Sequence, residues 1–293
     1  MNENKTNINW FPGHMKKTLE EMEKNIKKVD VVLYVLDGRA VLSCFNPRLD
    51  EIASGKPVIY VLSKIDMADG DVTNDWKRYF EEKGKSVITV NSTLSNIKKE
   101  VVEKIKKVLA DKIEKNKSRG INVIYRAMVV GVPNSGKSTL INALLGKARA
   151  ITGDKPGVTK SALWVKISDN IELMDTPGTL WSNLTNHIAA ENLALIGSIK
   201  QQILDEEALA CVLINRLRIL SPEKLCNRYK LESIDDDDYV VLEDISRNMG
   251  AKIKGGEVDI SRGAKMILDD FRRMKIGKIS LDQRNKIFNG NSR

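Results

Sequence analysis

Eight consecutive residues constrain this chain more than any other feature. Gly131 to Ser138 reads GVPNSGKS, the pattern GxxxxGK[ST], between an apolar run, Ile124 to Val130, and a helical pattern, Ser138 to Leu145, that stops at Gly146. A buried strand feeding a glycine-rich turn that opens a helix is the repeating unit of a parallel sheet with helices packed on it. In such a turn the backbone N–H groups wrap α- and β-phosphates at the positive end of the helix. Lys137 reaches the β- and γ-oxygens, and the Ser138 hydroxyl is placed to ligate Mg²⁺. Asn134, Ser135, Gly136, Lys137, Ser138 and Thr139 are the expected phosphate-binding positions.

The remaining pattern extends the same architecture. Asp30 to Asp37 (DVVLYVLD), Pro57 to Leu62 and Ser86 to Val90 are apolar runs of the kind a two-sided parallel sheet requires, with helical patterns at Pro47 to Ser54 and Asp75 to Lys83 between them. Residues 97 to 113 predict one amphipathic helix with a lysine-rich outer face, followed by a polar joint, Asn116 to Gly120. Ala162 to Ile167 and Ile171 to Asp175 predict two strands joined through the turn residues Ser168 to Asn170. Beyond about residue 185 strand signals stop. Helical spacing takes over at Ile188 to Leu195, Glu206 to Arg218, Tyr239 to Asn248 and Ile260 to Met274. The expectation is an α/β domain over residues 1–184 and an all-helical domain over 185–293.

Composition removes other classes. Three cysteines (Cys44, Cys211, Cys226) without a CxxC pair, and only two histidines, exclude zinc and disulfide scaffolds. Residues 1–30 lack the apolar core of a signal peptide, and no stretch approaches the roughly 20 apolar residues of a membrane span, so a cytoplasmic protein without a membrane partner is expected. The net charge of +9 is uneven. Residues 246–293 carry twelve basic and five acidic side chains, just after the acidic run Asp235 to Asp238. That end is either a solvated lysine-rich surface or the footprint of a polyanion.

Two further motifs define the chemistry. Asp175-Thr176-Pro177-Gly178 is a DxxG closing an apolar strand, where the carboxylate holds Mg²⁺ through water and the Gly178 N–H senses a γ-phosphate. Thr159, in the loop Pro156-Gly157-Val158-Thr159, offers a hydroxyl to the same Mg²⁺ and makes that loop a candidate switch. Ser63-Lys64-Ile65-Asp66 follows the second strand and Asn91-Ser92-Thr93 the third. Here the chain resembles the translation-factor class of GTP-binding proteins, whose guanine-reading motif is [N/T]KxD. By that resemblance Asp66 accepts from the guanine N1–H and 2-amino groups, the Lys64 stem packs on the ring, and Asn91 and Ser92 belong to the companion base-contacting loop. Ser63 stands where Asn or Thr is usual, and its hydroxyl remains able to tie this loop to the phosphate loop.

The motif order is inverted. The loops at 63–93 precede the phosphate loop, switch and DxxG at 131–178, so the GTPase domain is expected to be circularly permuted, which a parallel sheet tolerates because every loop projects from the carboxyl ends of its strands. With Asn9 to Met15 (NWFPGHM) near one end and Arg272 to Leu281 (RRMKIGKISL) near the other, the chain closely resembles the bacterial ribosome biogenesis GTPase A family. The resemblance implies a permuted GTPase domain, a helical RNA-binding-like C-terminal domain, and GTP-dependent action late in assembly of the large (50S) ribosomal subunit. It makes the subunit precursor and its 23S rRNA the partners beside GTP and GDP, and ribosomal particles the stimulus for a hydrolysis that is slow alone.

Hydrolysis needs a group that orients water, and Thr179 stands where many GTPases place Gln. The resemblance transfers that role to His14, whose plain alternative is a surface or helix-capping histidine. Asn134 matches the position at which cation-dependent GTPases bind K⁺, against the alternative of an Asn that supports the loop by hydrogen bonding. Two other readings stay open: a nucleotide-switched binding module with little hydrolysis, and a permuted GTPase with a non-ribosomal client.

Overall fold

The computed structural model describes residues 13–91, 96–146, 164–181, 186–199 and 205–284, so Ser92, Thr159 and the side chain of His14 lie outside what is described. Six strands form one sheet: β1 (Val31–Asp37), β2 (Val58–Ser63), β3 (Ser86–Thr89), β4 (Tyr125–Val130), β5 (Trp164–Ser168) and β6 (Ile171–Asp175). Their order is β3-β2-β1-β4-β6-β5, all parallel except β5, which pairs antiparallel with β6. The centre of the sheet is β1, whose seven residues are all buried, and the alternation of its side chains divides the core in two.

Val31, Leu33 and Val35 face one side, where they meet Ile59, Val61, Ala127 and Val129 and the apolar stripes of α4 (Ile97–Val108) and α6 (Lys137–Leu145). Val32, Tyr34 and Leu36 face the other, packing with residues of α1 (Gly13–Asn25), α2 (Pro47–Ala53) and α3 (Gly70–Glu82). On that second face Tyr34, Phe45, Tyr60 and Phe80 form a continuous aromatic cluster, with Tyr60 stacked on Phe80 at 4.7 Å. The same core continues into α7 (His187–Leu195), α8 (Glu206–Leu220), α9 (Pro222–Tyr229), α10 (Asp238–Asn248) and α11 (Ile260–Arg272). Apart from a bridge between Lys252 and Val258, the described residues after 186 contain no strand pairing.

Three details depart from the sequence expectations. The helix expected over 97–113 is two helices: the chain turns at Leu109, and α5 (Ala110–Ser118) extends through much of the expected polar joint. Helix α1 was not legible as an element, yet it buries Met15, Leu19 and Met22 at helical spacing. Helix α9 was also unforeseen; it starts at Pro222, in the first turn where a missing N–H costs nothing. The acidic run has a local use, because Asp237 caps α10 and Asp238 pairs with Arg218 at 2.8 Å.

Helices α10 and α11 cross where Gly263 meets Ser246: a Cβ on Gly263 would lie 1.7 Å from Ser246 Oγ and 2.6 Å from its Cβ. Helix propensity alone favours alanine at an interior glycine by about 1 kcal/mol. Close contact reverses the sign here, and Gly263→Ala should destabilise the protein by about 1–3 kcal/mol in urea unfolding. A variant at least as stable as the parent would show that the crossing is looser than described.

Candidate nucleotide site

The four catalytic-edge loops come from the carboxyl ends of β1, β2, β4 and β6, and the parallel register brings them together. Between β4 and α6 the chain turns through Asn134 and Gly136 with φ of 57° and 96°, aiming the start of α6 at the space above the sheet. Lys137 is buried, and its Nζ donates to the carbonyls of Gly131 (3.1 Å) and Val132 (2.7 Å) in its own loop. Burial pushes its ammonium down to about 8, against the opposing pull of Asp175. Ser135 is buried with its hydroxyl unpartnered, while Ser138 is half-buried and Thr139 exposed.

Asp175 ends β6. Burial raises its carboxyl against the attraction of Lys137, and its Oδ1 is buried without a hydrogen-bond partner. Thr176 donates its hydroxyl to Val129 O at 2.6 Å, and the Thr179 N–H reaches Gly131 O at 3.3 Å, so the DxxG segment is fastened to β4 and the phosphate loop. Gly178 sits so close to that loop that a Cβ would fall 2.6 Å from Pro133 Cα and 2.8 Å from Lys137 Nζ. Thr179 has no exposure, and its carbonyl accepts from Asn46 Nδ2 at 3.2 Å. A side chain enclosed in this way has no access to a water on a phosphate.

The SKID loop meets the phosphate loop directly. Ser63 is fully buried, and its Oγ lies 2.5 Å from Ser135 O and 3.0 Å from Leu36 O; its single proton serves the nearer carbonyl. Lys64, with φ of 53°, donates to Asn134 O and pairs with Asp37 Oδ2 at 2.9 Å. Asp66 is half-buried on the turn closed by the Met67 N–H on Lys64 O. The β2–β3 register sets Thr89 beside Leu62, which places half-buried Asn91 at the same edge.

Several residues at this edge carried no sequence signal beyond their place at a strand end. Asp37, at the tip of β1, receives Arg39 Nε at 3.0 Å and Arg39 Nη2 at 2.8 Å as well as Lys64. Burial alone would raise its carboxyl, but the Arg39 and Lys64 cations outweigh that and hold it well below the usual carboxylate range. The phosphate loop also touches the helical region. Asn134 Nδ2 donates to Gly197 O at 2.7 Å and Ser198 Oγ to Pro133 O at 2.7 Å, while Arg272 spans the end of α7 through Ala194 O and Leu195 O, both at 3.0 Å.

A phosphate loop, a DxxG strand end and an SKxD loop on one edge of a parallel sheet, met in this chain order, define a circularly permuted P-loop GTPase domain joined to a helical C-terminal region. The family model described as "50S ribosome-binding GTPase" matches residues 126–244. The Ribosome biogenesis GTPase A of Bacillus cereus is 38% identical over 276 residues, covering 94% of this chain and 93% of that protein. Solved structures of YlqF align with TM-scores of 0.65 in the GDP-bound form and 0.64 in the GNP-bound form from T. maritima. Their identities are 25% and 26%, and they cover 90% and 91% of this chain and 99% and 98% of theirs. The chain belongs to the ribosome biogenesis GTPase A family and is a GTP hydrolase.

Asp37 gives the site a pH signature. Asp37→Asn leaves the Arg39 guanidinium buried without its counter-charge, which should cost about 3–5 kcal/mol at neutral pH. Because the folded carboxyl titrates well below its unfolded value of about 4, its stabilising contribution is complete above that value, starts to shrink below it, and is lost only as pH falls through the lower folded value. Urea unfolding of both proteins at neutral pH and at about pH 3 should show the gap narrowing in acid; a gap of constant size would contradict the assignment.

Proposed function

We propose that this protein binds the assembling large ribosomal subunit in its GTP state, and that hydrolysis is coupled to a late maturation step and to its own release. The observation that carries the nucleotide half of this reading is the bond between Ser63 Oγ and Ser135 O, which joins loops 72 residues apart into one site. The ribosomal half is supported by membership of a family whose members are named for ribosome biogenesis.

In this reading Asp66 accepts from the guanine N1–H and 2-amino groups, a donor pair that adenine lacks, and Asn91 and Ser92 flank the base. Lys64 keeps its ammonium on Asp37 and Asn134 O, so its stem forms the platform under the ring. Asn134 to Thr139 wrap the phosphates, and Lys137 exchanges its loop carbonyls for phosphate oxygens, an exchange that returns a buried ammonium to strong acceptors.

The residues present suit Mg²⁺. Asp175 offers a buried, unpartnered carboxylate oxygen and Ser138 a hydroxyl, both hard oxygen donors. Ser138 and Thr159 would hold the ion, with Asp175 acting through water; when bound, Mg²⁺ neutralises charge developing on the β- and γ-oxygens. For K⁺, the engaged amide of Asn134 leaves its carboxamide oxygen as the atom facing a cation.

Thr179 is enclosed, so the water must be oriented from elsewhere. Position 14 precedes Thr18 by four residues on α1, and Thr18 and Met22 line a small crevice with Asp175, Thr176 and Pro177. Helix α1 thus runs beside the DxxG segment, which supports His14 as the group that orients water once a ribosomal particle is bound. The basic residues of 246–293 would contact 23S rRNA phosphates, making binding steeply salt-dependent. Among the described residues no helix is long and apolar enough to cross a membrane, and a cytoplasmic location follows from the proposed partner.

Co-sedimentation with large-subunit precursors should be strongest with a non-hydrolysable GTP analogue, weaker with GDP, and reduced by salt; binding insensitive to both nucleotide and salt removes the ribosomal reading. In single-turnover assays, subunits should accelerate cleavage by the parent and not by His14→Ala, and K⁺ should support a faster rate than Na⁺. Equal stimulation of His14→Ala would exclude His14.

A further inference from the structure

After α11 the chain turns at Met274 and continues as an irregular segment, 276–284, to the edge of the sheet that carries the SKID loop. Ile276, Ile279 and Leu281 are buried beneath it, so the segment is seated in the core. Its backbone is fixed where it passes β1: the Leu281 N–H donates to Arg39 O at 2.6 Å. One residue on, the Asp282 carboxylate accepts from the Ser43 N–H at 2.6 Å and the Ser43 hydroxyl at 3.0 Å, and the Asp282 carbonyl accepts from Trp76 Nε1 at 2.8 Å. At its far end Arg284 lies 4.4 Å above the Tyr79 ring and 3.3 Å from Asp75 on α3.

Between Leu281 and the buried isoleucines stands Ser280, which is 1% exposed. Its hydroxyl donates to Gly38 O at 3.2 Å and accepts from the Asp69 N–H at 3.1 Å, 211 residues away in sequence. The Gly38 N–H in turn donates to Ser63 O at 2.8 Å. Ser63 and Asp69 are the two ends of the loop that holds Asp66. A chain of three hydrogen bonds therefore runs from Ser63 through Gly38 and Ser280 to Asp69, closing a belt around Lys64 to Ala68. The Asp69 carboxylate is not free to do this, since it caps α3 on Asp71 N and Val72 N.

We propose that the C-terminal segment 276–284 is a positioning element for base recognition, in which Ser280 sets the span of the loop carrying Asp66 and thereby its selectivity for the 2-amino group of the purine. This inference rests on the reading of Asp66 as the guanine contact. A carboxylate that must meet two donors at once tolerates only a few tenths of an ångström of error, and a loop held at both ends meets that demand where a loop held at one end does not. Because Ser280 is enclosed, water does not replace its hydroxyl when it is removed, and both the Asp69 N–H and Gly38 O lose a partner.

The test compares Ser280→Ala with the parent by calorimetry, using GDP and inosine diphosphate, which differ only in the 2-amino group. Loss of loop registration should weaken GDP by about five-fold and inosine diphosphate by less than about two-fold, so the ratio between them narrows. Equal weakening of both, accompanied by a lower Tm, is the signature of a merely structural serine and overturns the inference; so does an unchanged ratio. Should Ser280→Ala fail to fold, Arg284→Ala at the half-buried far end of the segment is read in the same way, and an unchanged ratio there overturns the inference equally. Asp66→Asn separates the two layers. If it retains the parent's preference for GDP over inosine diphosphate, the guanine reading itself fails; if it loses that preference while Ser280→Ala keeps it, only the positioning role fails.

Discussion

The carboxylate of Asp37 has no solvent exposure, and much of the site is arranged around the need to neutralise it. Two cations do so. Arg39 comes from the turn just past β1, and Lys64 from the SKID loop at the end of β2. Each then extends the network. Lys64 continues to Asn134 O in the phosphate loop, while Arg39 reaches Ile196 O at the end of α7 and lies 5.9 Å from the Phe271 ring centroid of α11. Removing a charge from water is costly, and the cost is offset only when its partners are held in good geometry. The cluster therefore requires that the two motif loops and the helical region keep fixed relative positions, and it supplies contacts that keep them there.

This arrangement explains why the inverted motif order is physically unremarkable. In a parallel sheet each strand delivers its loop to the same edge whatever its place in the chain, so the site depends on strand order in space: β2-β1-β4-β6 sets the SKID loop, Asp37, the phosphate loop and the DxxG side by side. The connection from β3 back to β4 is made by α4 and α5, of which α4 packs Ile97, Val101 and Ile105 into the core while α5 only leans half-buried Ile113 against it. A connector that needs only length and one apolar stripe is an undemanding place to join former ends.

What the sequence disclosed, and what it hid, divides along the same physical line. Strands buried on both faces read as unbroken apolar runs, and the phosphate loop announces itself through local backbone demands, so both are visible in short windows. The Ser63 hydroxyl was legible as a tie to the phosphate loop because a strand end, a hydroxyl and a second motif fixed what it had to touch. Helix α1 was obscured because lysines and glutamates dominate it and its buried apolar residues, Met15, Leu19 and Met22, acquire meaning only against the second face of the sheet. Leu109 breaks the connector without a glycine or proline to mark it. The contacts of Gly197, Ser198 and Arg272 were invisible for a different reason: their partners lie 63 to 78 residues away and, unlike Ser63, these residues belong to no motif whose chemistry fixes what they must touch.

Those last contacts bear on how a nucleotide is felt outside its site. Pro133 and Asn134, next in the chain to the two carbonyls that Lys137 holds, are bonded to Ser198 and Gly197, and the preceding turn of α7 is held by Arg272 of α11. Burial lowers the Arg272 guanidinium against the pull of Asp269, as expected of a cation whose partners in this region are backbone carbonyls. A shift of the phosphate loop by the width of one hydrogen bond cannot be absorbed by α7 alone, because Leu193, Ala194 and Leu195 are buried in the common core. Arg272 ties the end of α7 to α11, and α11 leads into the segment that ends at the SKID loop. The helical region thus touches the nucleotide site at two places, its phosphate end through the residues that close α7 and its base end through residues 276–284.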